Sequence, residues 1–243
     1  MYRSFIEPIW LDNFINNNKL ELPKETLFRF NNILRIKKDE QIAIFDGKGR
    51  QVEGILHNNS FASFKIVKEE PKSPKIILLQ AALEESKISE TIKRTTEFGI
   101  DEIIIFPADF SQSFSINKIN KKITRLEEII KDASRQSGRF YIPSFKIINN
   151  LETFFNKLPN KYLGIFGDVE QKNILSNLLM QENNQGLQEI IIIVGPEGGL
   201  SKKEKLLCES HNFKGVIWSP FVLRSELASL AALSIVNAYL KIA

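Results

Sequence analysis

The stretch Ile190-Ile-Ile-Ile-Val-Gly-Pro-Glu-Gly-Gly-Leu-Ser-Lys-Lys-Glu204 carries the densest chemical signal in this 243-residue chain. An unbroken apolar run enters Gly195-Pro196-Glu197-Gly198-Gly199, and Ser201 with Glu204 three residues on predicts a capping box that starts a helix. Glycines leave main-chain N–H and C=O groups open to close approach by a ligand. Loops at the C-terminal ends of parallel strands are where open α/β sheets bind ligands. The same glycines would equally serve a tight strand-to-helix turn, and their number alone does not choose between the two.

A second signal is Trp218-Ser-Pro-Phe-Val-Leu-Arg-Ser-Glu-Leu-Ala-Ser-Leu-Ala-Ala-Leu233, a loop holding Arg224 followed by a helix of small and apolar residues. A helix apolar around most of its circumference must be buried, in a core or at a subunit interface. Arg224 and Glu226 sit where it begins, as a capping ion pair or as functional groups. A third is charge: residues 112–139 hold Lys118, Lys121, Lys122, Arg125, Lys131, Arg135 and Arg139 against Glu127, Glu128 and Asp132, a local +4 equal to the net charge of the whole chain. Such a patch suits phosphates, or is a solvated helix face.

Other chemistries lack their residues. Gly199 is followed by Leu200-Ser201, so the loop is no Walker motif, and no G-x-G-x-x-G opens a βαβ unit. There is no H-E-x-x-H, no C-x-x-C and no serine nucleophile elbow. His57 and His211 stand far apart and Cys208 is the single cysteine, so all three are expected to be structural, no metal site is expected, and the compartment is a reducing one, the cytoplasm.

The elements that must position these groups follow from periodicity. Hydrophobic residues at 43% and charged residues at 26% describe a chain able to bury a core, and its length predicts one large or two modest domains. Met1 to Leu11 is broken by Arg3 and Glu7 and does not read as an export signal. No apolar run approaches the ~18 residues that span a bilayer, so no membrane partner is expected. In the first seventy residues Gln41–Phe45, Gln51–Leu56 and Phe61–Val67 read as short strands, the first two flanking Asp46-Gly47-Lys48-Gly49-Arg50, and predict a small β-barrel. Glu69-Glu70-Pro71-Lys72-Ser73-Pro74 reads as a linker, which puts domains at 1–72 and 73–243. Beyond it, apolar runs at Ile76–Leu83, Glu102–Phe106, Tyr162–Phe166, Glu189–Val194 and Gly215–Trp218 alternate with helical stretches, among them Ser86–Phe98 and Asn117–Ser137. That alternation predicts an α/β domain with a parallel sheet. On the second helix Ile116, Ile119, Ile123, Leu126, Ile130 and Ala133 mark the inner face, with Lys118, Lys122 and Arg125 opposite.

The two loop segments, together with Lys93-Arg-Thr-Thr-Glu-Phe-Gly-Ile100 and Gln136-Ser-Gly-Arg139, strongly resemble the RsmE family of SPOUT-class RNA methyltransferases over essentially the whole chain. The resemblance implies an N-terminal PUA-like β-barrel, matched more loosely by Arg3, Leu34-Arg35 and Asp46-Gly47, and a C-terminal α/β domain closed by a trefoil knot. It implies methylation of N3 of one uridine in small-subunit 16S ribosomal RNA, with S-adenosylmethionine as donor. Carried over residue by residue, Gly195, Pro196, Glu197, Gly198 and Gly199 would form one wall of the cofactor pocket, with Phe166, Gly167, Ser219, Phe221, Val222, Leu223 and Arg224 forming others. The helix from Leu227 would build a homodimer. Arg224 would stabilise the uridine anion, and Glu226 or Glu197 would orient the base or take its proton. Arg3, Arg35, Lys37, Lys118, Lys122, Arg125, Arg135 and Arg139 would hold the ribosomal RNA or the small subunit through phosphates; neither DNA nor a metal is implied. The chain departs from the family where Phe110-Ser111-Gln112-Ser113 lacks an arginine, where Ser219 and Phe221 replace glycine and arginine, where Ser225 and Leu227 replace threonine, and at Asp39 for glycine. Rival readings are methylation of another RNA or of a ribose 2'-hydroxyl, and a non-catalytic RNA-binding assembly factor.

Overall fold

The structure, a computed structural model, describes residues 1–17, 22–37, 40–57, 60–111, 115–181 and 186–240; the side chains of 14–17, 56, 57, 60–63 and 115 lie outside that description. The backbone separates into two compact units, Met1–Pro71 with Lys131–Ile142, and Lys72–Ile130 with Pro143–Ala243.

In the first unit β1 (Tyr2–Phe5) runs parallel to β2 (Gln41–Phe45), and β2, β3 (Arg50–His57) and β4 (Ser60–Lys68) form an antiparallel meander. The sheet order is β1-β2-β3-β4. The loop read from the sequence joins β2 to β3, where the buried Asp46 carboxylate accepts from the backbone N–H groups of Lys48 and Arg50 at 2.8 and 3.1 Å. Between β1 and β2, where the periodicity names no element, lie α1 (Pro8–Asn17) and α2 (Lys24–Phe28), the latter continuing into a π-helical turn over Arg29–Ile33. Pro8 opens α1, where its fixed φ suits a first helical turn and its missing N–H costs nothing. Ile6, Leu11, Phe30, Ile42, Ile44 and Val52 close the core. Residues 131–142, expected in the second domain, cluster here instead, because Arg3 donates to the Arg139 carbonyl at 3.0 Å and Tyr141 to the Glu69 carbonyl at 2.9 Å.

The second unit is an α/β fold around a six-stranded, wholly parallel sheet. Its strands are β5 (Lys75–Ala81), β6 (Glu102–Phe106), β7 (Ser144–Ile147), β8 (Tyr162–Gly167), β9 (Glu189–Val194) and β10 (Lys214–Val216), in the order β10-β8-β9-β5-β6-β7. The inner strands are Ile-, Leu- and Val-rich because helices cover both faces of a parallel sheet. Ile77, Leu79, Ile104, Phe106, Phe166, Ile191 and Ile193 form the heart of that core. The helices are α3 (Glu85–Glu97), α4 (Ser115–Asn120), α5 (Ile123–Ser137, whose residues from Lys131 on belong to the first unit), α6 (Leu151–Phe155), α7 (Leu175–Gln181), α8 (Lys202–Ser210) and α9 (Ser225–Leu240).

The single helix expected over 117–137 is thus two, broken at Lys121-Lys122, where the Lys122 N–H turns to the Ile119 carbonyl at 2.9 Å. Asn117 and Asn120 favour such local breaks because their amides compete with the helical hydrogen bonds. Ile119, Leu126, Ile130 and Ala133 are buried as expected, while Ile123, the first residue after the break, is 36% exposed. Among the described residues no helix is long and apolar enough to cross a membrane.

Candidate functional site

Because every strand of the second unit's sheet runs the same way, the loops leaving β8, β9 and β10 emerge at one end of it. With the first turn of α9 they enclose a cavity of about 260 Å3, close to the lower end of the roughly 300–1,000 Å3 range of small-ligand pockets. The β9 loop supplies Gly195 to Leu200, the β8 loop Gly167 to Glu170, and the β10 loop Trp218, Ser219 and Phe221 to Leu223; Lys205 enters from α8, and Ser225 and Ala228 from α9.

The glycine-rich loop is folded back on itself. The Gly199 N–H donates to the Pro196 carbonyl at 2.9 Å, and Gly199 has φ +74°, a conformation that favours glycine. A Cβ on Gly195 would lie 2.8 Å from the Gly199 carbonyl carbon and 2.9 Å from the Leu200 nitrogen, so main chain meets main chain there. The expected capping box is present at the start of α8. Ser201 Oγ accepts from the Glu204 N–H at 3.2 Å, and Glu204 accepts from the Ser201 N–H at 2.8 Å. It is also tied to the loop after β6: Ser201 Oγ donates to the Asp109 carboxylate at 2.5 Å, and the Asp109 N–H donates to Glu204 at 3.0 Å.

The ionisable lining is mainly acidic. Asp168, Glu170 and Glu197 face the cavity, and among the described residues Lys205 is the one cation in its lining. Lys205 Nζ lies 2.8 Å from Asp168 and 3.1 Å from Glu170. Burial by itself would raise the Asp168 pKa, but hydrogen bonds from Lys205, the Glu170 N–H and Gln171 outweigh it and hold the carboxyl below the usual range. On the rim Glu197 pairs with Lys87 of α3, and that contact depresses the Glu197 pKa. A net acidic, glycine-walled cavity suits a cationic ligand with a planar hydrogen-bonding group and opposes a polyphosphate.

The family of RNA methyltransferase domains matches residues 69–237, most of the chain and the whole of this cavity's lining. The chain belongs to the RNA methyltransferase family. A ribosomal RNA small subunit methyltransferase E from Aquifex aeolicus is 30% identical over 213 residues, covering 84% of this chain and 87% of that protein. A structure of the like-named protein from Neisseria gonorrhoeae, bound to S-adenosylmethionine, has the same fold with TM-score 0.77, at 22% identity over 98% of this chain and 97% of that one. A Legionella pneumophila chain solved with the cofactor S-adenosylmethionine bound gives TM-score 0.74 at 25% identity, covering 90% and 91%. The resemblance read from the glycine-rich and Leu-Arg-Ser-Glu strings is therefore one of descent.

Within this methyltransferase, most residues carried over for the cofactor meet at the cavity: Gly167, Gly195 to Gly199, Ser219, Phe221, Val222 and Leu223 all line it. Two do not. Phe166 is fully buried in the sheet core, since adjacent strand residues face opposite sides and Gly167 takes the cavity side. Arg224 is exposed outside the lining; its carbonyl accepts from the N–H groups of Leu227 and Ala228, and among the described residues no ion pair to Glu226 caps the helix. Glu226 is half-buried in the first turn of α9, with its Oε2 shielded and without a hydrogen-bond partner. Sequence reasoning missed Asp168, Glu170, Lys205 and Trp218. The signal available for the first was an acidic residue directly after a buried strand.

The phosphate-binding candidates fall in both units. Lys122 and Arg125 share Glu85, at 3.3 and 3.4 Å, and Lys118 is exposed on α4. In the first unit Arg35 and Lys37 are exposed, Arg139 is half-buried, and Arg135 is paired with Asp132 at 3.2 Å. Arg3 is engaged by contacts within the first unit. Its guanidinium donates to Gln51 and to the carbonyls of Ser134, Arg135 and Arg139, and lies over the Phe45 and Phe140 rings. Gln112, Ser113 and Asp39 lie outside the described residues. Burial pushes the Cys208 thiol up to about 12, so it stays protonated, and His211 stacks on Phe155 with ring centroids 4.5 Å apart. Both are structural; the side chain of His57 lies outside the description. Among the described residues no group of three or more His, Cys, Asp or Glu could hold a metal ion.

Proposed function

We propose that the chain methylates N3 of a specific uridine in small-subunit 16S ribosomal RNA, with S-adenosylmethionine held in the cavity at the ends of β8, β9 and β10. The observation that carries this reading is the fit of the cavity: main chain of Gly195 to Gly199 open on one wall, and Asp168, Glu170 and Glu197 against Lys205, the one cation in the lining among the described residues. The relatives' names support small-subunit ribosomal RNA as the substrate, and the ligand of the Legionella pneumophila chain supports the donor.

The group supplies a methyl carbon activated on a sulfonium. The Gly195–Gly199 backbone would hold its base and ribose, and the acidic side chains would favour its positive charge. Trp218, Phe221 and Val222 are apolar side chains of the lining, and the exposed Phe221 and Val222 would be covered, and water displaced from them, once the group is bound. Uridine N3 carries a proton at neutral pH and must lose it before it can attack; the anion then spreads onto the flanking carbonyl oxygens. Arg224, exposed beside the pocket, is the cation for that charge. Glu226 is the proton acceptor, since its Oε2 is shielded and without a partner, whereas Glu197 is held as a weak base by Lys87 and orients.

The first unit, with 1–72 as its domain, acts as a PUA-like RNA-binding barrel, and 73–243 as a SPOUT domain. Threading into a trefoil knot is supported by the path after β10. That strand lies at the sheet edge beyond β8, yet α9 bonds back to Gly195, at the end of β9, and to Gln80 in β5. A homodimer through α9 is supported by exposed Leu227 on a helix apolar on nearly every side. Placed with ribosomal RNA, the enzyme is cytoplasmic. Calorimetry with S-adenosylmethionine, followed by mass mapping of uridines in 16S RNA and small subunits treated with the enzyme and donor, tests the reading. Binding plus one N3-methyluridine is expected. Binding with a methylated ribose or another RNA as product would redirect the substrate, and no binding would favour an assembly factor.

A further inference from the structure

Gln80 is fully buried near the C-terminal end of β5, paired in register with Val194 of β9 and Ile105 of β6, on a strand whose other buried residues are Ile76, Ile77, Leu78, Leu79 and Ala81. Burying a primary amide among aliphatic side chains costs free energy unless its donors and acceptor are matched. Here they are. Its Nε2 donates to Ser225 Oγ at 2.8 Å and to the Ala81 carbonyl at 3.2 Å, and its Oε1 accepts from Ser229 Oγ at 2.5 Å. Ser225 Oγ in turn donates to the Gly195 carbonyl at 2.6 Å. All three side chains are at most 3% exposed.

The direction of this chain is fixed. A serine hydroxyl has one proton, and Ser225 spends it on Gly195, so it can only accept from Gln80. The Gln80 amide is held in the orientation that donates to Ser225 because the Ala81 carbonyl beside its Nε2 can only accept, while Ser229, whose hydroxyl also lies 3.3 Å from the Ser225 carbonyl, donates to its oxygen. Gly195 and Ser225 line the cavity, whereas Gln80 and Ser229 do not. Gly195 is also where the loop closes on its own backbone. A strand, a helix and the glycine-rich loop thus converge on one carbonyl.

We propose that Gln80, backed by Ser229, is a positioning residue for the donor site: through Ser225 it fixes the Gly195 carbonyl and hence the wall of the cavity. The inference rests on the reading that this cavity takes S-adenosylmethionine. Gln80→Met keeps an unbranched side chain of similar volume without the amide, and Ser229→Ala removes only a hydroxyl; neither touches the cavity. Each is expected to weaken S-adenosylmethionine binding by about tenfold, the equivalent of one neutral hydrogen bond. The KM for the donor should rise in step, with kcat and the KM for RNA within about twofold. Because both act through one carbonyl, the double variant should lose no more than the worse single variant.

Folded variants that bind the donor like the wild type overturn the proposal, as do losses that add or that fall equally on RNA. If Gln80→Met fails to fold, Ser229→Ala alone decides by the same readout. A wild-type chain that does not bind S-adenosylmethionine overturns the cofactor assignment itself, which separates that failure from this one.

Discussion

The Lys205 ammonium meets the Asp168 carboxylate at 2.8 Å, and the Asp168 side chain is only 3% exposed, so a residue of α8 holds down the β8 loop that walls the cavity. The folded Asp168 pKa is depressed, so the unfolded chain binds the proton more readily. The pair's contribution is therefore complete above the free aspartate value near ~3.9 and is lost as pH falls through the lower folded value. For Lys205, burial alone would lower the pKa, but Asp168 and Glu170 raise it, so its share is complete below the free lysine value near ~10.4 and is lost as pH rises through the raised one. Lys205→Met should cost roughly 1–3 kcal/mol by leaving Asp168 buried without its cation. Urea unfolding at neutral pH and below about pH 4 checks this. A variant with wild-type stability and an unchanged acid slope would show that the clasp holds nothing.

Gly195→Ala should damage the pocket while the fold survives. The new methyl would meet the Gly199 carbonyl carbon at 2.8 Å and the Leu200 nitrogen at 2.9 Å, both main chain, so the loop must open. Overpacking of this kind costs about 1–3 kcal/mol. Calorimetry should report at least about tenfold weaker S-adenosylmethionine binding, the equivalent of 1.4 kcal/mol, with the far-ultraviolet dichroism retained. Unaltered affinity would mean that the ligand does not lie against this bend.

The basic residues divide into structural and available ones, and salt dependence separates them. Arg3 gives its donors to Gln51 and to carbonyls at the end of α5, and burial pulls its pKa below the usual guanidinium value. Arg3→Ala should lower stability by roughly 1–3 kcal/mol without changing the slope of log affinity for RNA against log salt. Lys122→Ala with Arg125→Ala should leave S-adenosylmethionine affinity intact and flatten that slope by about 1.4–1.8, two phosphate contacts' worth. An unchanged slope in the double variant would remove this face from the RNA site.

Patterns confined to a few neighbouring residues were readable; pairings across the chain were not. The apolar runs of β5, β6, β8 and β9 announce strands because both faces of the sheet are covered. β7 escapes because, at the sheet edge, Ser144-Phe145-Lys146-Ile147 alternates exposed and half-buried over only four residues. The glycine loop and its capping box are legible since every partner lies within nine residues. Asp168 finds Lys205 37 positions later, and Gln80 finds Ser225 at 145, separations that no periodicity encodes. Phe166 shows the opposite error: motif matching brought a neighbour into the pocket that strand alternation sends to the core.

Glu226 and Glu197 should differ sharply as proton acceptors, although both lie near Lys87. Lys87 pairs with Glu197 and lowers its pKa, which makes it the poorer base. Glu226 lies near enough to Lys87 to feel its charge, but it has a shielded oxygen with no partner. If that oxygen takes the N3 proton, Glu226→Gln should lower kcat by about 10²–10⁴, the usual worth of a positioned base, and leave S-adenosylmethionine affinity unchanged. Glu197→Gln should keep kcat within about tenfold, a change of 1.4 kcal/mol in barrier height. Single-turnover methyl transfer from labelled donor to 16S RNA measures both. The reverse order of damage would move the base to Glu197. Equal, small losses would leave deprotonation to solvent, with the rate then rising with pH in both variants as in the wild type.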